Sequence, residues 1–205
     1  EPDIVINEFM AAPSEESGLP DEEYVERFNR SDKFLNLENW TISDASGLSS
    51  GFQSTTLRPG QYLILTATGN GSLFSGYGEV LEVSSFPALN NSGDDIIIAN
   101  ASATTIHQLS FEDTEDGVST ELINPNDPCL SIESYALSTD PSGGTPGTQN
   151  SVFDDTPDTT KPTILSYSFD MGVIINFSEV MDAASLSSGD YEITGGLTVN
   201  QISVE

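Results

Sequence analysis

Hydrophobic and polar residues alternate in short runs along most of this chain. Between Glu23 and Asp44, Tyr24, Glu26 and Phe28 alternate with Val25, Arg27 and Asn29, and Leu37, Trp40 and Ile42 follow the turn-rich stretch Asn29 to Asp32. The pattern predicts two strands joined by a polar turn. Both faces of the first strand carry apolar bulk, as a strand inside a two-layer sheet packing would. Ile4 to Met10, dense in β-branched residues and ended by Ala11-Ala12-Pro13, predicts another strand. Further strands are predicted at Gln61–Thr66 after the Pro59-Gly60 turn, Val80–Val83, Ile96–Asn100 and Ile106–Phe111. Short strands about ten residues apart, with Gly and Asn turns between them and no helix longer than a turn or two, predict an all-β sandwich.

Several of these stretches carry a family resemblance. Ile6-Asn7-Glu8-Phe9-Met10, Glu23-Tyr24-Val25-Glu26 with Asn29, and Leu37-x-x-Trp40-x-Ile42-x-Asp44 resemble the opening half of a lamin tail domain. Leu57-x-Pro59-Gly60-Gln61-Tyr62-Leu63-Ile64-Leu65, the Leu89 to Ile98 run with Ser92-Gly93-Asp94, Gly117-Val118-Ser119-x-Glu121-Leu122 and Thr145-Pro146-Gly147-x-x-Asn150 follow in the same order. The resemblance covers residues 3–153 and implies an immunoglobulin-like β-sandwich over residues 1–153. One position departs from it: Arg27 stands where the family usually carries an aliphatic residue. Members of the family include nuclear lamins and secreted bacterial proteins.

Composition separates those two settings. Five Lys plus Arg against thirty-three Asp plus Glu give a formal net charge of -28, which repels phosphate backbones and anionic membrane surfaces. Nucleic acid is therefore not an expected partner. No coiled-coil heptads or basic targeting cluster accompany the domain, so a nuclear lamin fits poorly. The chain begins at Glu1 with no signal h-region, and no apolar run approaches the length of a membrane span. A secreted or surface-displayed bacterial protein is the expectation. The single Cys129 excludes an intramolecular disulfide and reads as a small buried hydrophobe.

Candidate chemistry concentrates in acidic loops. Ser14 to Glu22 contains Glu15-Glu16 and runs into Asp21-Glu22-Glu23, and Glu112-Asp113-Thr114-Glu115-Asp116-Gly117 forms a second cluster. Crowded carboxylates repel unless water screens them or a cation joins them. Calcium, which takes about six to eight oxygen ligands, is the cation such donors suit, and Asp21, Glu22, Glu23, Asp113, Glu115 and Asp116 are its candidate ligands. The second cluster departs from the EF-hand pattern in ligand phase and lacks the closing bidentate acid. The alternative at both places is a solvated acidic loop, with the second cluster in a hairpin. Asn7-Glu8 invites a ligand reading, but a polar pair beside a core strand more often satisfies backbone groups. His107, the only histidine, lies mid-strand with no nucleophile elbow and no metal-ligand spacing, which predicts an ordinary hydrogen-bonding role. Thr68 to Ser72 lacks the Gly-Lys-Ser/Thr of a phosphate loop.

Residues 154–162 read as an extended acidic Pro/Thr linker in which Asp154, Asp155 and Asp158 repel one another. Beyond it, Phe177-Ser178-Glu179-x-Met181-Asp182 and Tyr191-x-Ile193 resemble the start of a bacterial immunoglobulin-like domain. Residues 163–205 supply less than half of the roughly 100 residues such a sandwich needs. A partial second sandwich-like unit of this kind is expected to order against another surface, the first domain or a second copy in a homodimer. Three functions follow from the sequence. The first is a noncatalytic secreted or surface module meeting a protein or glycan, with no cofactor unless calcium binds; the second is the accessory or spacer region of a larger secreted hydrolase. An enzyme in its own right has least support, because the only His and Cys lack partners.

Overall fold

The computed structural model describes residues 2–126, 130–156, 161–169, 173–178 and 181. Cys129, Asp158, Asp182, Tyr191 and Ile193, on which several of the expectations fall, lie outside the described residues. The chain divides into two compact units, residues 1–155 and 156–205.

Unit 1 is built from strands β1 (Ile4–Met10), β2 (Tyr24–Asn29), β3 (Leu35–Asn36), β4 (Thr41–Ser43), β5 (Thr56–Leu57), β6 (Tyr62–Ala67), β7 (Val80–Val83), β8 (Asp94–Ala99), β9 (Thr105–Phe111), β10 (Thr120–Leu122) and β11 (Tyr135–Leu137). A one-turn helix, α1 (Gly71–Phe74), separates β6 from β7. Six strands form one sheet in the order β11-β10-β1-β2-β6-β7; a second sheet has the order β4-β8-β9, and β3 pairs with β5. Among the described residues of unit 1, only β6 and β7 pair in parallel.

Burial follows the sequence pattern. Along β8 and β9 buried and open positions alternate, so the three-stranded sheet faces the core on one side and solvent on the other. In β1 every residue is buried, and β2 and β6 are buried over most of their length. These central strands are covered twice. On the inner side Ile6, Phe9, Val25, Leu63 and Leu65 meet Ile42, Ile96, Ile98, Leu109 and Phe111 in one cluster, with the rings of Phe9 and Phe111 4.7 Å apart. Each such side chain contributes roughly 1.5–3 kcal/mol by leaving water. On the outer side α1 places Phe74 against Met10, Tyr24 and Ile64.

Two connections differ from expectation. The strands on either side of the Asn29–Asp32 turn do not pair with each other, because the chain leaves the large sheet there: β2 lies between β1 and β6, while β4 pairs with β8. Likewise the segment 112–119 is not a hairpin loop but a crossing from β9 in one sheet to β10 in the other. In both places alternation announced the strands, and partner choice depended on which core half each apolar face had to cover.

Unit 2 contributes the antiparallel pair β12 (Ile164–Phe169) and β13 (Val173–Phe177). Ile164, Leu165, Tyr167, Val173 and Ile174 are exposed on it.

Candidate functional site

Three glutamates stand in a row on the outer face of the large sheet. Glu8 on β1 lies opposite Glu26 on β2 and opposite Glu121 on β10, and directly opposed residues have Cβ atoms only about 5 Å apart. A register shift between Ile6 and Glu8 gives β1 one extra residue, so Asn7 reaches this face beside Glu8. All three carboxyl groups are sealed from solvent.

Like charges so placed repel, and the chain answers with donors. Glu8 Oε1 accepts from Tyr24 Oη at 2.5 Å, Ser119 Oγ at 2.7 Å and the Thr145 amide at 2.9 Å. Glu26 accepts from Asn7 Nδ2 at 2.9 Å and from the Gly147 amide. Glu121 accepts from Thr145 Oγ1 at 2.9 Å, Ser151 Oγ at 2.8 Å and the Val152 amide at 3.2 Å. Most of these donors belong to residues 145–152, an irregular strap laid across the sheet. At Gly144 a Cβ would lie 2.5 Å from Glu8 Oε1, so only glycine lets the strap come this close.

The same region repairs a gap in the ladder between β1 and β10, which pair only at Glu8 and Phe9. Asn150 Nδ2 donates to the Asn7 carbonyl at 2.9 Å and the Leu122 carbonyl at 2.8 Å, while its Oδ1 accepts from Asn7 Nδ2 at 2.8 Å. Tyr135 Oη donates to the Ile6 carbonyl at 2.6 Å, and the Ile6 amide donates to His107 Nδ1 at 2.9 Å. Nδ1 therefore carries no proton. His107 thus has the hydrogen-bonding role its mid-strand position predicts; of the polar pair, Glu8 satisfies the Thr145 amide, while the Asn7 side chain meets the side chains of Glu26 and Asn150 and no backbone group.

Burial sets the electrostatics of this layer. It raises the Glu8 carboxyl to about 7, against the pull of the donors from Tyr24, Ser119 and Thr145, with the charge of Glu121 adding to the rise. Glu26 is raised well above the ordinary range by burial and then by Glu8. Burial, aided by the charge of Arg30, lowers His107 to about 4. Residues 59–160 contain no lysine or arginine. Arg27, next in sequence to Glu26, turns to the inner side, where its guanidinium lies 4.6 Å from the Phe52 ring centroid and 5.9 Å from that of Trp40. Its three side-chain nitrogens are buried and make no hydrogen bond, and burial pulls its pKa down to about 9.

Raised carboxyl pKa values often mark acid-base catalysts. A catalyst needs a path to substrate, and here each carboxyl is capped by donors under the strap. The arrangement locks the strap onto the sheet.

The acidic loops lie elsewhere. Asp21 is exposed, Glu22 accepts from Asn70 Nδ2 at 2.7 Å, and Glu23 accepts from the Leu89 amide at 3.1 Å. Burial, together with the charges of Glu22, Asp94 and Asp44, raises the Glu23 pKa. Asp113, Glu115 and Asp116 are exposed on the crossing from β9 to β10. Among the described residues no group of three His, Cys, Asp or Glu side chains is arranged to hold a metal ion, and no helix is long and apolar enough to cross a membrane.

Concave surfaces among the described residues include a pocket and a groove. A pocket of about 160 Å³ opens at the end of the strap, with Phe28, Tyr62, Phe153, Asn126 and Gln149 around it. A shallower groove of about 420 Å³ lies between the ends of β9 and β11, floored by Phe111, Ile132 and Leu137 and edged by Glu112 and Asp113. Sequence reasoning located neither, since each draws on segments far apart in the chain.

Two sheets packed face to face, with a sealed polar layer on the outer side of the larger one, define an immunoglobulin-like β-sandwich. The family model for the lamin tail domain matches residues 1–113, and the chain belongs to that family. No curated protein matches it.

Proposed function

We propose that this chain is a noncatalytic module of a secreted or surface-displayed bacterial protein, and that it meets a protein or a glycan outside the cell. The observation that carries the reading is the use made of the reactive groups. Glu8, Glu26 and Glu121 are each capped by internal donors, and the only imidazole accepts a backbone N–H. Groups engaged in this way hold a scaffold together and leave recognition to the surface. The net charge of -28 favours solubility and disfavours nucleic acid and anionic lipid as partners. On this reading residues 154–162 space the lamin-tail domain from an immunoglobulin-like unit that begins at residue 163. The same two-unit layout supports a second reading, an accessory region that spaces or anchors a secreted hydrolase.

The test is protease shaving of intact cells, followed by an antibody raised against residues 1–155. Loss of the signal from intact cells, or its recovery in the medium, is expected. A signal that stays protected and fractionates with cytosolic markers overturns the extracellular reading.

A further inference from the structure

On the outer face of the large sheet, at the opposite end of β2 from Tyr24, the rings of Phe28 and Tyr62 face each other from β2 and β6. Their centroids are 4.8 Å apart with a 34° tilt, and Phe153 from the end of the strap helps close a pocket of about 160 Å³. Four carboxamides, those of Asn7, Asn126, Gln149 and Asn150, also line it.

The carboxamides divide into two pairs. Asn7 and Asn150 are buried, and both Nδ2 groups are engaged: Asn7 donates to Glu26 and Asn150, and Asn150 donates to two strand carbonyls. They form a fixed floor. Asn126 and Gln149 are exposed, and among the described residues neither side chain makes a hydrogen bond within the protein. The Tyr62 hydroxyl is likewise without a protein partner among the described residues.

Charge narrows the ligand. In a protein with thirty-three acids, none of the described residues lining this pocket is an acid, a base or a histidine. Among the described lining residues a cation or an anion would find no counter-charge. A ligand that suits the walls is neutral, presents a C–H face to aromatic rings, and carries hydroxyls that both donate and accept. A carboxamide offers both functions, and fixed polar groups set orientation in an apolar pocket. We propose that this pocket binds one pyranose ring of a neutral glycan, Phe28, Tyr62 and Phe153 supplying apolar contact and Asn126, Gln149 and the Tyr62 hydroxyl pairing with ring hydroxyls. The proposal rests on the reading of the chain as an extracellular interaction module and gives that module a ligand class.

The experiment is saturation-transfer NMR on the whole chain with neutral oligosaccharides of glucose, xylose and N-acetylglucosamine at millimolar concentration. Transfer to the ring protons of at least one series is expected. Asn126→Ala and Gln149→Ala, both at exposed positions, should each weaken it about fivefold, the loss of roughly one hydrogen bond, and Tyr62→Phe should weaken it similarly while keeping the ring. Unchanged melting temperatures in these variants would assign the loss to the pocket. Absence of transfer from every series, or transfer unaltered in the Asn126→Ala/Gln149→Ala double variant, overturns the proposal. Binding of labelled chain to isolated cell envelopes separates the two readings. Envelope binding that none of these sugars competes with overturns the glycan pocket and leaves the module reading standing; failure of both envelope and sugar binding overturns both.

Discussion

Glu26 and Arg27 are neighbours in β2, both fully buried, and the fold treats them in opposite ways. Glu26 points outward beneath the strap and is met by Asn7 Nδ2 and the Gly147 amide. Arg27 points inward, between Phe52 and Trp40, and no oxygen meets it. One face of the sheet is lined by irregular chain whose N–H groups need acceptors, and the other by apolar side chains that offer Arg27 rings and no oxygen. Burying an ionisable group is tolerable where a loop needs its oxygens and costly where nothing needs its nitrogens. The comparison makes the carboxylate layer a fastener and the guanidinium a liability.

The largest effect should come from breaking the fastener. Glu8→Ala leaves the Tyr24 hydroxyl, the Ser119 hydroxyl and the Thr145 amide without their acceptor. Orphaning several buried donors costs about 3–5 kcal/mol, which for a unit of this size lowers Tm by roughly 10 °C or more. Glu8→Gln, which keeps one accepting oxygen, should lose less than half as much. Equal losses for the two variants would mean that packing, and not the acceptor, is what Glu8 supplies.

The liability should be removable. Arg27→Met fills similar volume with apolar atoms among Leu37, Phe52 and Leu63, all core residues. It gives up cation–π contacts of about 0.5–2 kcal/mol and relieves the desolvation of an unpaired charge. We expect a net gain of about 1–3 kcal/mol by urea denaturation, with Trp40 fluorescence as the local reporter. A loss greater than about 1 kcal/mol would show that the guanidinium has a partner, such as an enclosed water.

The same pair of residues marks how far the sequence could be read. Strand positions and the all-β class were legible because alternation is local: Ile4–Met10 and Val80–Val83 were predicted with the ends the structure has. Arg27 was visible as an anomaly against the family pattern. Its predicament was not, because that depends on Trp40 and Phe52 arriving from other segments. Glu8, Glu26, Glu121, Thr145, Gly147 and Asn150 all belonged to motifs that marked the fold, but nothing in their spacing says that they converge, since contacts such as Thr145 with Glu8 join residues 137 apart. The acidic loops drew attention for the reverse reason. Adjacent carboxylates are conspicuous in sequence, while the carboxylates that organise this molecule are scattered through it.

The smallest effect, and the one that separates the outer face from the rest, is pH dependence. Glu8 has a folded pKa raised to about 7, from about 4.5, and Glu26 is raised further by burial and by Glu8. A raised carboxyl keeps its proton in the folded state after the unfolded chain has lost it, so stability falls as pH rises past the unfolded value. His107 has a folded pKa lowered to about 4, from 6.5. Its contribution has the opposite sign, rising with pH between about 4 and 6.5 and constant above. Below pH 6.5 it offsets most of the Glu8 slope; above, nothing does. The groups facing the row support the same sign, because burial raises Tyr24 and Tyr62, which stay uncharged at neutral pH, and Arg27 lies on the other face. Unfolding free energy should therefore decline between pH 6 and 8, by about 0.5 kcal/mol from Glu8 less His107, a fall that ends near pH 7, and further from Glu26. Glu8→Gln should lessen that decline, both by removing its own titration and by removing the charge that helps raise Glu26. His107→Gln, whose amide oxygen can still accept from Ile6, should move its onset down toward pH 4.5. Stability that is level or rising from pH 6 to 8 would mean that a cation, or water admitted beneath the strap, compensates the row.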